Sequence, residues 1–156
     1  MSESFSIDDL TAQEAELQFA SFTNDDALEL GSRLVEMARA INAPVAIHIE
    51  RSGHTLFHAA LPGATPDNDG WIARKVNVVR RFEHSSLYIG QMLASAGTTL
   101  ADTYALSELD YAPHGGAFPI IVRDVGVVGV VVVSGLPQLD DHQLVVDAIR
   151  AHLARD

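Results

Sequence analysis

The sequence predicts an α+β domain, an α/β sandwich on a mostly antiparallel sheet of about five strands with helices on its faces. Three observations carry this reading. Residues 118–122 and 127–133 are two apolar runs around Arg123-Asp124-Val125-Gly126, the pattern of an antiparallel hairpin. Residues 45–50 and 55–60 flank Ser52-Gly53 and read as a second hairpin. Segments of helical period precede, separate and follow the two hairpins.

Each element has its own signal. Ser6 with Asp9, and Thr23 with Asp26, are capping-box patterns that start helices over about 7–17 and 24–41. In the second, Ala27, Leu30, Leu34, Ala38 and Ile41 recur at helical spacing, and Asn42-Ala43-Pro44 ends it, because the residue before proline avoids helical angles. Along the next strand Val45, Ile47 and Ile49 face one side, and Ala46, His48 and Glu50 the other. A two-residue Ser52-Gly53 loop sets Glu50 opposite Thr55 and His48 opposite Phe57, which leaves His58 half-buried among Ile47, Ile49 and Leu56.

Residues 61–70 read as a loop whose Asp67 or Asp69 caps a helix over about 71–82. A calcium loop does not fit. With Gly70 sixth, the first and twelfth positions fall on Thr65 and Val76, neither a carboxylate. Ser85 and Ser86 interrupt before a helix over about 87–96, which Gly97 ends. Residues 98–113 read as a short helix and a loop. The remaining strand is expected in 17–23 or 98–113. The last helix, about 139–153, takes Asp140 or Asp141 as its cap, with His142 an exposed neighbour. The 118–133 hairpin is apolar without alternation. Antiparallel sheets usually wet one face, so both faces are covered here, by helices, by a partner subunit, or by one on each side.

Bulk properties bound the function. The 156 residues suit a single domain over 1–156. A net charge of −11 from 21 acids and 10 bases argues against nucleic-acid binding. The longest apolar run, 127–133, is too short for a bilayer. MSESFSIDDL has no basic start followed by an apolar core, so no signal peptide is expected and the expected location is cytoplasmic. There are no cysteines, which removes disulfides and thiolate ligands. The seven histidines show no metal spacing, so no metal site is expected. Arg74, Lys75, Arg80 and Arg81 read as a solvated helix face, or as an anion site.

The chemistry-bearing candidates are few. His114-Gly115-Gly116 matches a lipase oxyanion-hole motif, but no Gly-x-Ser-x-Gly elbow accompanies it. The two glycines read first as a sharp turn into a buried strand, with His114 free to reach a ligand. Trp71, Lys75, Arg74, Ser86, Ser134, Asp141 and His142 complete the candidate ligand-binding set. No catalytic residue is assigned, and no nucleotide loop is present.

The strings Trp71-x-x-x-Lys75-x-Asn77, Phe82-x-x-Ser85-Ser86, His114-Gly115-Gly116-x-Phe118-Pro119-Ile120, Val133-Ser134-Gly135-Leu136-Pro137 and Asp141-His142 resemble the short branch of the GlcG/HbpS-like, or haem-degrading-domain, family. The similarity runs from about residue 10 to 153. It implies a profilin-like sandwich and homo-oligomers, as dimers or assemblies of dimers. It implies haem as a cofactor, with no ligand residue carried over. A eukaryotic relative of this branch is implicated in handling membrane-protein cargo. Three functions follow as expectations. The first is a cytoplasmic haem-binding or haem-handling protein, with Arg74 and Lys75 as propionate partners. The second is a non-enzymatic oligomeric scaffold or adaptor. The third is an enzyme acting on a small anionic metabolite, with His114 as acid or base.

Overall fold

A computed structural model describes residues 4–155; the expectations for 1–3 and 156 lie outside them. The order is α1 (Ile7–Glu16), β1 (Gln18–Phe19), α2 (Asn24–Ala40), β2 (Ala46–Arg51), β3 (His54–Ala60), α3 (Pro66–Phe82), α4 (Ser86–Ala96), α5 (Leu100–Tyr104), β4 (Ala117–Val122), β5 (Gly126–Ser134) and α6 (Gln138–Leu153). The strands form one sheet in the order β1-β4-β5-β2-β3. Among the described residues only the short β1–β4 pair is parallel. Of the two places open for the remaining strand, 17–23 holds it and 98–113 holds α5.

The central β5 explains its own composition. On one face Ile47, Ile49, Phe118, Ile120, Val131 and Val133 pack under Leu30 and Leu34 of α2 and Val145 and Ile149 of α6. On the other, Ala46, Ala117, Val130 and Val132 pack under Ile72, Val76 and Val79 of α3. The hairpin lacks alternation because the chain's own helices cover both faces. It therefore supplies no argument for a second copy. Each fully buried Leu or Ile contributes about 1.5–3 kcal/mol. A third cluster, Val78, Ile89, Leu93 and Leu100, joins α3, α4 and α5.

Both expected capping boxes form: Asp9 N–H donates to Ser6 Oγ, and Asp26 N–H to Thr23 Oγ1. Two other helix starts differ from expectation. α3 begins before Trp71, at Pro66, with Thr65 as its N-cap residue. Proline suits the first helical position because its φ is preset and its missing N–H is not needed there. Asn68 Oδ1 accepts the Thr65 N–H at 2.9 Å. Asp67 and Asp69 lie inside the first turn, where they face its positive end without capping it. α6 has Pro137 at its N-cap position, so neither Asp140 nor Asp141 caps it.

The β2–β3 register also differs. Glu50 pairs with Thr55 as expected, but Ile49 pairs with Phe57 and His48 with His58. Leu56 is the extra residue of a bulge, and beyond it every β3 side chain changes face. His58 is therefore not half-buried among Ile47, Ile49 and Leu56. It is exposed, its Nδ1 lies 3.2 Å from His48 Nδ1, and its Nε2 lies 3.2 Å from Asp69 Oδ1.

Candidate functional site

The chain enters β4 through His114-Gly115-Gly116, pressed between the end of β5, the start of α6 and the middle of α3. A Cβ at Gly115 would collide with the Gln138 carbonyl. One at Gly116 would collide with the Val133 carbonyl and stand 2.8 Å from Lys75 Nζ, and Gly116 has φ +136°. Gly115 thus lets the chain press against the start of α6, and Gly116 lets it press against both the end of β5 and the Lys75 amine.

That amine is buried, so Lys75 does not belong to the solvated helix face the sequence suggested. Its Nζ donates to Asp141 Oδ2 at 3.3 Å and to Val133 O at 3.5 Å. Asp141 is equally buried. Its Oδ1 accepts the Leu136 N–H at 2.9 Å and its Oδ2 the Gly135 N–H at 3.3 Å. Asp141 serves the turn after β5 and the lysine, which is why it is not available to cap α6. Burial pushes the Asp141 carboxyl up to about 6, against the pull of Lys75 and the two amides. Burial lowers the Lys75 ammonium despite Asp141.

Trp71, one helical turn before Lys75, stands edge-on to His114, with ring centroids 5.6 Å apart. The Arg74 guanidinium lies 4.2 Å over the indole. His114 is exposed; partial burial, Lys75 and Arg74 lower its pKa, so at neutral pH it presents an uncharged imidazole. This Arg74–Trp71–His114 wall divides two cavities. The smaller, about 290 Å³, is lined by Asn68, Trp71, Lys75, His114, Ser134, Gly135, Leu136, Gln138 and Asp141. The larger is a groove of about 1070 Å³ under α4 and α5. Leu87, Leu93, Leu100, Leu106, Leu109 and Tyr111 line it beside Arg74 and His114.

Of the candidates named from sequence, Trp71, Lys75, His114, Ser134 and Asp141 meet at the small cavity; Gly115 and Gly116 do not line it but pack behind Gln138 and Lys75, which do. Ser86 and His142 do not reach it. Ser86 Oγ accepts the Ala117 N–H at 3.1 Å, which fastens α4 to β4. His142 is fully buried rather than exposed: its Nε2 meets Gln13 Oε1 at 2.7 Å, and its Nδ1 has no partner among the described residues. Burial lowers its pKa to about 4. Asn68, Gly135, Leu136 and Gln138 were missed. Gln138 Oε1 accepts the Gly115 N–H at 3.0 Å. Gly135 and Leu136 belong to the Val133–Pro137 string that carries the family resemblance, and Gln138 follows it. Asn68 could have been found through the Thr65-Pro66 helix start.

One cluster of metal-ligand types does converge, contrary to the spacing argument. Ligand atoms of Asp26, Glu29 and His152 lie within 4.8 Å of one another. Arg155 already fills that cluster, with bonds of 2.9 Å to Asp26 and 2.8 Å to Glu29.

Residues 22–150 match the family model described as haem degrading protein HbpS-like. The chain belongs to the HbpS-like family. A UPF0303 protein of Streptomyces coelicolor is 56% identical over 141 residues, covering 90% of this chain and 89% of that protein. One of Paraburkholderia phytofirmans is 50% identical over 147 residues, covering 94% and 89%. Among solved structures, the Ybr137w protein superposes with a TM-score of 0.90 at 31% identity, over 97% of this chain and 90% of that one. A PduOC:heme complex superposes with a TM-score of 0.70 at 20% identity, over 84% and 94%, which is a likeness of fold. Among the described residues no helix is long and apolar enough to cross a membrane.

Proposed function

We propose that this protein is a cytoplasmic haem-binding protein that takes the porphyrin into the groove under α4 and α5. His114 would be the axial ligand and Arg74 the propionate partner. The observation that carries this reading is the position of His114. Its imidazole is exposed, uncharged at neutral pH, and set on the lip of a groove of about 1070 Å³ lined by leucines and Tyr111. A neutral imidazole nitrogen is a haem-iron ligand, and apolar walls suit a macrocycle. Family membership and the fold shared with a haem complex support the same reading. Lys75 is replaced in the propionate role, because its ammonium faces Asp141 and Val133 across the wall. Haem, when bound, supplies a redox-active iron; the residues of this chain bind it, orient it and shield it from water.

The scaffold reading loses its apolar hairpin, which α2, α3 and α6 cover. A haemin titration followed by absorbance tests the proposal, run beside His114→Ala. Expected is a saturable Soret shift at about one haem per chain or per dimer, lost in the variant. A shift retained in a folded variant would move the ligand elsewhere. No saturable shift in the natural sequence would overturn the proposal.

A further inference from the structure

We propose that the small cavity on the Lys75 side of the Trp71–His114 wall binds a small carboxylate anion, and that at neutral pH and above each anion enters with one proton, which Asp141 takes up. The proposal is independent of haem.

The cavity is a built polar site. Lys75 is 3% exposed, yet it lines a space of about 290 Å³. Its two bonds, at 3.3 and 3.5 Å, are longer than the ~2.7–2.9 Å usual for an ammonium with a carboxylate. An ammonium has three N–H donors, and these two acceptors hold it loosely. Ser134, buried at the end of β5, adds a hydroxyl to the same lining. Gly116 is the residue that makes room for the amine.

The ligand class follows from charge and shape. Among the described residues Lys75 is the one cation lining the cavity, since Arg74 lines the groove on the other side of the wall. One carboxylate matches one ammonium, and Trp71 and Leu136 offer apolar cover for a short tail. A dianion would bring a second charge into a space with no second cation.

The proton follows from Asp141. While it is ionised, Asp141 already neutralises Lys75, and an arriving anion meets two carboxylates around one ammonium. Like charges sharing a site raise the pKa of one. Asp141 is already pushed up to about 6, so it is the group that protonates. The groups facing it are Lys75 from α3, the Gly135 and Leu136 amides from the turn after β5, and His114 from across the cavity. On α6 itself Asp140 precedes it, and His142 turns away to Gln13 of α1.

The test uses the haem-free full chain and its single tryptophan, Trp71. Acetate is titrated at constant ionic strength at about pH 5.5, 6.5 and 7.5, and indole fluorescence is read. Expected is a saturable change whose Kd weakens about 25-fold from the lowest pH to the highest. Folding of each variant is checked by circular dichroism. Asp141→Asn keeps an oxygen for the Leu136 amide; it should bind with a Kd that no longer varies over this range. Lys75→Met should not bind. If Asp141→Asn does not fold, calorimetry of the natural sequence at about pH 7.5 in two buffers of different ionisation heat should read uptake of about one proton per anion. The proposal is overturned by no saturable change at the lowest pH or by a Kd equal at all three. Binding retained in folded Lys75→Met, or unchanged pH dependence in folded Asp141→Asn, would also overturn it.

Discussion

The Nζ of Lys75 lies 2.8 Å from the point where a Cβ on Gly116 would stand. The lysine and the glycine are a matched pair behind the small cavity, 41 positions apart in the chain.

Gly116→Ala should therefore be costly. The new methyl meets the Val133 carbonyl, which the β-ladder holds fixed, and φ +136° is unfavourable for alanine. Overpacking and backbone strain together predict a loss of about 2–4 kcal/mol. Gly97→Ala is the control: φ is +65° and nothing lies within 4 Å, so the loss should be about 1 kcal/mol. Denaturant midpoints at matched m-values measure both.

The pH dependence of stability contains two opposed contributions. Asp141 has a raised folded pKa, so its contribution is present below the unfolded value of 3.8 and is lost as pH rises to about 6. His142 has a lowered folded pKa, so the native state binds fewer protons between about 4 and 6.5, and stability rises with pH there. In Asp141→Asn, the difference from the natural sequence should grow more favourable as pH rises from 4 to 6. In His142→Gln it should grow less favourable. Urea unfolding at half-unit pH steps reads each slope; equal slopes for the two variants would refute the assignment.

Arg80→Ala should destabilise the protein although Arg80 is half exposed. Its Nε donates at 2.8 Å to Glu50, which is 5% exposed and otherwise meets His48 at 3.1 Å. Burial alone would raise the Glu50 pKa; His48 and Arg80 together hold it below the usual carboxylate value. Removing the guanidinium leaves a buried carboxylate short of a partner, a loss of about 1–3 kcal/mol at neutral pH. The depressed pKa makes this stabilisation fade as pH falls, so the deficit should shrink as pH drops below the ordinary carboxylate value of 4.5.

The β3 bulge has a direct mutational readout. Phe57 sits on the α2 face, where a Cβ at Gly31 would run into its ring. Gly31→Ala should cost about 1–3 kcal/mol, and Phe57→Leu should recover much of it. An unbroken two-residue hairpin would put Phe57 on the His48 face, and the two substitutions would then simply add.

The layout of the domain was legible because its signals are local. Capping boxes at Ser6 and Thr23, the break at Asn42–Pro44 and the two apolar runs around Arg123–Gly126 each specify their own neighbourhood. The bulge at Leu56 was not legible, since it depends on which β3 side chains α2 and α3 can accommodate. The site was half legible. His114, Lys75 and Asp141 could be named, but the Lys75–Asp141 bond joins residues 66 positions apart, and neither residue type announces burial. Asp141 and His142 misled for the same reason. Acids and histidines at a helix start are usually solvent-facing, and here the β5–α6 turn folds over one while α1 covers the other.

β3 is an edge strand of seven residues, and an edge with free amides is a template for another chain. The extra residue at Leu56 breaks its ladder after two pairs from the turn. A bulge bends and twists the strand locally, so an incoming strand cannot stay in register along the whole edge. The irregularity that hid the register from the sequence also protects the molecule against edge-to-edge aggregation.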